Sequence, residues 1–165
     1  MKRAMQVGLI AATALGGVLL WQREANRERR LAHCARNLKA IHGLFTQLVR
    51  QGPRKDMPPV GKQNPAHEHF AILVLFTGGA SPEIFCCPAG EALPAVREAD
   101  DSFWLDAESV SYAWRGGRTR LEDALQALAA CKHYDGHTDS AGRHRGHPGG
   151  VNVLYTDGSV RFVPV

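Results

Sequence analysis

No proline interrupts this chain before Pro53, and the fifty residues ahead of it carry a helical pattern from end to end. From Ala4 to Trp21 the sequence reads AMQVGLIAATALGGVLLW, with Gln6 its one strongly polar side chain. Beyond it, Leu31, Cys34, Ala35, Leu38, Ile41, His42, Phe45, Leu48 and Val49 recur three or four residues apart. Such spacing lays one apolar stripe along a helix and leaves Arg36, Lys39 and Arg50 on the other side. The economical reading is a single long helix. Residues 1–3 form a cytoplasmic N-terminus, 4–21 a transmembrane segment, 22–51 its amphipathic continuation, and 52–165 a globular domain. Gln51-Gly52-Pro53 ends the helix, because Gly suits the C-cap and Pro cannot continue it.

At about 1.5 Å per residue, the apolar run nearly crosses a hydrocarbon core of about 30 Å. A cleaved secretory signal would need a small-residue site, and cutting at Ala12-Thr13-Ala14 leaves too short an apolar core. A lipoprotein signal would want small residues before Cys34, where Arg29-Arg30-Leu31-Ala32-His33 stands instead. An uncleaved signal anchor fits best. It implies a single-pass protein with membrane lipid as its first partner; a bacterial inner membrane and an extracytoplasmic C-terminal domain rest on the cysteines and on the family resemblance carried by the C-terminal segment. The basic residues alone favour the opposite orientation, since Arg23, Arg27, Arg29 and Arg30 follow the run and only Lys2 and Arg3 precede it.

The remainder reads as a mixed α+β domain. Residues 54–65, with Pro58, Pro59, Gly61 and Pro65, form an irregular connection, and Ala66 to Thr77 a second, apolar helix stopped by Gly78-Gly79. Ile84 to Pro88 reads as short and extended, Val110 to Trp114 as a strand, and Leu121 to Ala130 as a short helix. Two alternating, β-branched runs flank Asp157-Gly158 near the end, a strong hairpin signal.

A formal charge of +4 raises the question of nucleic acid. Much of the excess lies at Arg23 to Arg30 and at Arg143 and Arg145, without the interleaved aromatics on which bases stack. The sequence therefore points away from nucleic acid, and it holds no motif for a small-molecule substrate.

The cysteines are four: Cys34, Cys86, Cys87 and Cys131. In a small exported domain an even count invites disulfides, each worth about 2–4 kcal/mol. Neighbours Cys86 and Cys87 would each seek Cys34 or Cys131, and the connectivity stays open. His133, His137, Asp135 and Asp139 crowd one loop and are the candidate ligands for zinc or calcium, although a solvated loop with incidental histidines is the favoured reading. No cofactor is otherwise implied. His147 and Asp157 invite comparison with a hydrolytic dyad. The turn chemistry of Asp157-Gly158 favours a structural role, with His147 bonded to a sheet edge or loop carbonyl. No nucleophile elbow, phosphate loop or metalloprotease motif is present, so catalysis is not expected.

The segment His147-Pro148-Gly149-Gly150-Val151-Asn152-Val153-Leu154-Tyr155-Thr156-Asp157-Gly158 has a His, nine residues and then Asp-Gly. It resembles the C-terminal signature of the prepilin-type, type II secretion G-like proteins of planctomycete-like bacteria, carried here by His147, Gly150, Asn152, Asp157 and Gly158. Cys34-Ala35-Arg36-Asn37-Leu38-Lys39, Phe85-Cys86-Cys87-Pro88 and Ser111-Tyr112-Ala113-Trp114 are similar to three further pieces of that family, in its order. The resemblance implies a pseudopilin-like fold, with a long N-terminal helix packed on a small antiparallel sheet. It also implies a non-enzymatic partner of other pseudopilin-like or secretion-machine subunits. One departure stands out. After Gly8 the fifth residue is Thr13, where prepilins carry Glu, which suits a minor or accessory subunit of a type II secretion or type IV pilus-like assembly.

Overall fold

The computed structural model describes residues 2–51, 56–57, 66–78, 80–90, 92–115, 119–120, 125–132, 147 and 149–164, with side chains from residue 16 on outside 56–57 and 119–120. Helix α1 runs unbroken over Lys2–Gln51, as the periodicity predicts. Its second half is the spine of the domain. Cys34, Asn37, Leu38, Ile41, Phe45 and Leu48 are buried, one stripe along the helix.

The first half behaves differently. Val18, Leu19, Leu20 and Trp21 are exposed, Trp21 by 70%. Among the described residues no helix is long and apolar enough to cross a membrane. That finding overturns the expected single-pass, inner-membrane location. Beyond Trp21 the helix carries Gln22, Arg23 and Glu24, the start of a charged series.

Against the spine lie helix α2 (Ala66–Thr77), a single 3₁₀ turn over Pro82–Phe85, and an antiparallel sheet. The sheet has the order β2-β4-β5-β6, with β2 at Tyr112–Trp114, β4 at Ala127–Cys131, β5 at Gly150–Tyr155 and β6 at Val160–Pro164. A separate two-stranded ladder joins β1 (Asp56–Met57) to β3 (Thr119–Arg120). The architecture is α+β, a long helix packed on a small antiparallel sheet.

The core is aromatic. Trp114 meets Phe45 and Phe70 edge-on, with ring centroids 5.8 and 5.5 Å apart, and Phe70 continues to Phe85 at 5.4 Å. These contacts join α1, α2, the 3₁₀ turn and β2, where edge-to-face pairs add to plain area burial.

Two expectations need correcting. Ala127 to Ala130, expected within a helix, is strand: it pairs with β2 on one side and β5 on the other, with a register irregularity between Ala127 and Ala129. Alanine and leucine favour helices by tenths of a kcal/mol, which two ladders and the burial of Leu128 outweigh. The segment around Ile84 is a 3₁₀ turn, with Pro82 at its start, and only becomes extended at Cys86. The hairpin stands where Asp157-Gly158 puts it. Gly158 adopts φ +79°, Tyr155 donates its N–H to the Ser159 carbonyl at 2.9 Å, and Ser159 donates its own to Asp157 Oδ1 at 2.8 Å.

Candidate metal centre

Cys34 lies on the buried stripe of α1, and three other segments converge on it. One turn further along, Asn37 donates from Nδ2 to the carbonyls of Cys86, at 2.8 Å, and Glu83, at 3.3 Å. Those bonds fasten the end of the 3₁₀ turn to the helix and bring Cys87, the next residue, beside Cys34. Cys131 closes β4 opposite Tyr112, whose hydroxyl is 3.8 Å from Cys34 Sγ. His147 enters from the loop before β5. Its carbonyl accepts the Gly150 N–H at 3.4 Å, and Gly149 between them turns at φ +80°. Asn152, two residues into β5, donates from Nδ2 to the Leu31 carbonyl at 3.0 Å, so the strand is tied to the same turn of α1 that carries Cys34.

The result is a cluster of Cys34, Cys87, Cys131 and His147 in which one ligand atom from each lies within 4.8 Å of all the others. Cys87 Sγ and His147 Nε2 are 3.2 Å apart. Every member is buried, with exposures of 0, 2, 1 and 4% in that order. No S–S bond joins them, and Cys86 is free as well. The disulfides expected from an even cysteine count are therefore not what the structure holds. Three of the four thiols meet one another and an imidazole, and a bridge between any two would strand the third.

Proton distribution in this cluster is uneven. Hydrogen bonds from the Cys131 and Cys87 thiols hold Cys34 well below the ordinary thiol range, against the opposing effect of burial. Cys87 is pushed the other way, by its bonds to Cys131 and Cys34 and by burial. Burial, with the Cys34 charge adding to it, keeps the Tyr112 phenol protonated and able to donate toward that sulfur. Cys86 stands apart: its thiol faces the Ser109 carbonyl at 3.4 Å, and burial, with Glu83 adding to it, pushes it up to about 11.

The signature residues divide between this cluster and its supports. Gly150 is held glycine by crowding, since a Cβ there would come 2.4 Å from the Val163 carbonyl oxygen. The Asp157-Gly158 turn docks on α1, where His42 Nε2 is 3.1 Å from the Thr156 carbonyl oxygen and a Cβ on Gly158 would meet the His42 ring at 2.9 Å. Asp157 is exposed and engaged with Ser159, whereas His147 is buried against Cys87, so they do not form a dyad. Among the described residues, the His147 side chain meets Cys87 rather than the sheet-edge or carbonyl partner expected of it. The other proposed ligands, His133, Asp135, His137 and Asp139, lie outside the described residues.

Sequence reasoning singled out all four members of the cluster but not their meeting. Their spacing is that of no local metal motif, because each comes from a different element. The available signal was that Cys34, Cys87 and His147 all fell inside segments carrying the family resemblance. No family model matches this chain, and no curated protein or solved structure matches it.

Proposed function

We propose that this chain is a non-enzymatic, pseudopilin-like subunit, an accessory component of a type II secretion or type IV pilus-like assembly. One observation carries the reading: the helix that serves as the spine of the domain runs on beyond it, and there exposes Val18, Leu19, Leu20 and Trp21 in consecutive positions. Four large apolar side chains on a projecting helix are costly in water and suit burial against another helix. The occupant is the equivalent helix of a subunit built in the same way. Small residues at Gly16 and Gly17, where an added Cβ would meet nothing within 4 Å, allow such a helix to approach closely. The absence of Glu at position 13 favours an accessory place over that of a main filament subunit.

The test is site-specific photo-crosslinking of the full chain in a bacterial host, with the probe at Leu20 and, as a control on the domain, at exposed Leu93. Leu20 should give discrete protein adducts, to a second copy or to another pilin-like subunit, that Leu93 does not. A Leu19→Asp change should abolish them. Adducts equal at both positions, or adducts to lipid alone, would refute the assignment.

A further inference from the structure

We infer that Cys34, Cys87, Cys131 and His147 form a structural zinc site that staples helix α1 to the sheet and to the loop after the 3₁₀ turn. The argument stands apart from the assembly reading, since it uses none of the exposed helix. Three sulfur ligands and one imidazole make a Cys₃His set, one of the recurrent structural zinc combinations. Zn–S bonds of about 2.3 Å and Zn–N bonds of about 2.0 Å place tetrahedral ligand atoms about 3.5–3.8 Å apart. The cluster, with all its ligand atoms within 4.8 Å and one S···N separation of 3.2 Å, needs only small side-chain adjustment to reach that geometry.

Burial argues for the same answer. Three thiols and an imidazole packed together in a dry core have only weak hydrogen bonds to offer one another, whereas a divalent cation satisfies all four at once. On binding, the three cysteines release their protons to solvent as three Zn–S bonds form, and neutral His147 donates its ring lone pair. Nothing is oxidised or reduced, and the complex carries one net negative charge. The Tyr112 hydroxyl, 3.8 Å from Cys34 Sγ, is placed to soften that charge. All four positions of the tetrahedron are filled by protein, which leaves none for a water or substrate and makes the role structural. Cys86 is excluded, because it faces the Ser109 carbonyl.

The full chain, purified without chelator and analysed by elemental mass spectrometry, should carry one zinc ion per chain. Replacement with cobalt(II) should give the visible ligand-field bands of a tetrahedral thiolate site. Cys34→Ser, Cys87→Ser and Cys131→Ser should each lose the metal, whereas Cys86→Ser and His147→Cys, which preserves a four-ligand set, should keep it. Because the serine variants risk unfolding, the wild-type stoichiometry and cobalt spectrum decide the matter by themselves. Absence of zinc after refolding in its presence would overturn the inference, as would an octahedral cobalt spectrum or a disulfide joining Cys34, Cys87 or Cys131 in the native chain. A negative result here would leave the Leu20 crosslinks unaffected.

Discussion

Asn37 Nδ2 lies 2.8 Å from the carbonyl oxygen of Cys86, and that bond fixes where the next residue, Cys87, meets helix α1. Asn37 is itself buried, so its amide has exchanged water for this carbonyl and that of Glu83. Asn37→Ala should destabilise the fold by about 1–3 kcal/mol, because it leaves a buried carbonyl without its donor. Asn37→Asp should cost more, since a carboxylate presents acceptors to acceptors. Urea denaturation of the three chains checks the order; an Asp variant as stable as wild type would contradict it.

The contact between Gly158 and His42 makes a second prediction. Gly158→Ala meets two separate penalties, the positive φ of the turn and a Cβ 2.9 Å from the imidazole of His42. The backbone part alone should cost about 1 kcal/mol, and the collision adds to it. Removing the ring should relieve only the second part. In a double-mutant cycle with His42→Ala, the glycine substitution should therefore cost less than in the wild-type background, by about 0.5 kcal/mol or more. Additive effects would show that the turn does not press on the helix.

These two contacts also show how far the sequence could be read. Helix α1, helix α2 and the terminal hairpin are local in origin: apolar periodicity, Pro53 and Asp157-Gly158 encode them, and each forms where that chemistry places it. The helix expected over Leu121 to Ala130 failed in its described part because its evidence was propensity, a small quantity beside two strand ladders. The metal cluster failed to appear for a different reason. Cys34, Cys87, Cys131 and His147 are brought together by long-range bonds such as those of Asn37 and Asn152, and no short-range spacing records them. The inner-membrane expectation rested on an apolar run that gives way to charged residues after Gln22, and among the described residues no helix is long and apolar enough to cross a membrane.

Trp114 joins three elements of the core, yet its indole N–H has no hydrogen-bond partner among the described residues. Burying a donor without an acceptor costs free energy that the ring's packing must offset. Trp114→Phe removes that donor while keeping an aromatic face toward Phe45 and Phe70, so its net cost should stay below about 1.5 kcal/mol. Trp114→Ala should cost about 3–5 kcal/mol through the cavity it opens. Thermal or urea unfolding distinguishes them. A Phe variant as damaged as the Ala variant would mean that the indole nitrogen has a partner after all.

His69 stacks on the same Trp114, at 6.0 Å between ring centroids, fully buried and with neither ring nitrogen hydrogen-bonded to any described residue. Burial disfavours the imidazolium and holds the group below its ordinary 6.5, while the neighbouring Glu68 charge opposes this only in part. On acidification the unfolded chain takes up this proton first. His69 should therefore be without effect on the pH dependence above about pH 7, and stability should fall as pH drops below about 6.5, by at most about 1.4 kcal/mol per pH unit for one proton. His69→Phe keeps a ring against Trp114 and removes the titration. The wild-type chain should lose stability between pH 7.5 and pH 5 relative to this variant. The comparison cancels acid effects common to both chains, including any at the cysteine cluster. Parallel stability curves for the two would mean that His69 accepts its proton as easily in the folded core as in water, contrary to its burial between α2 and β2.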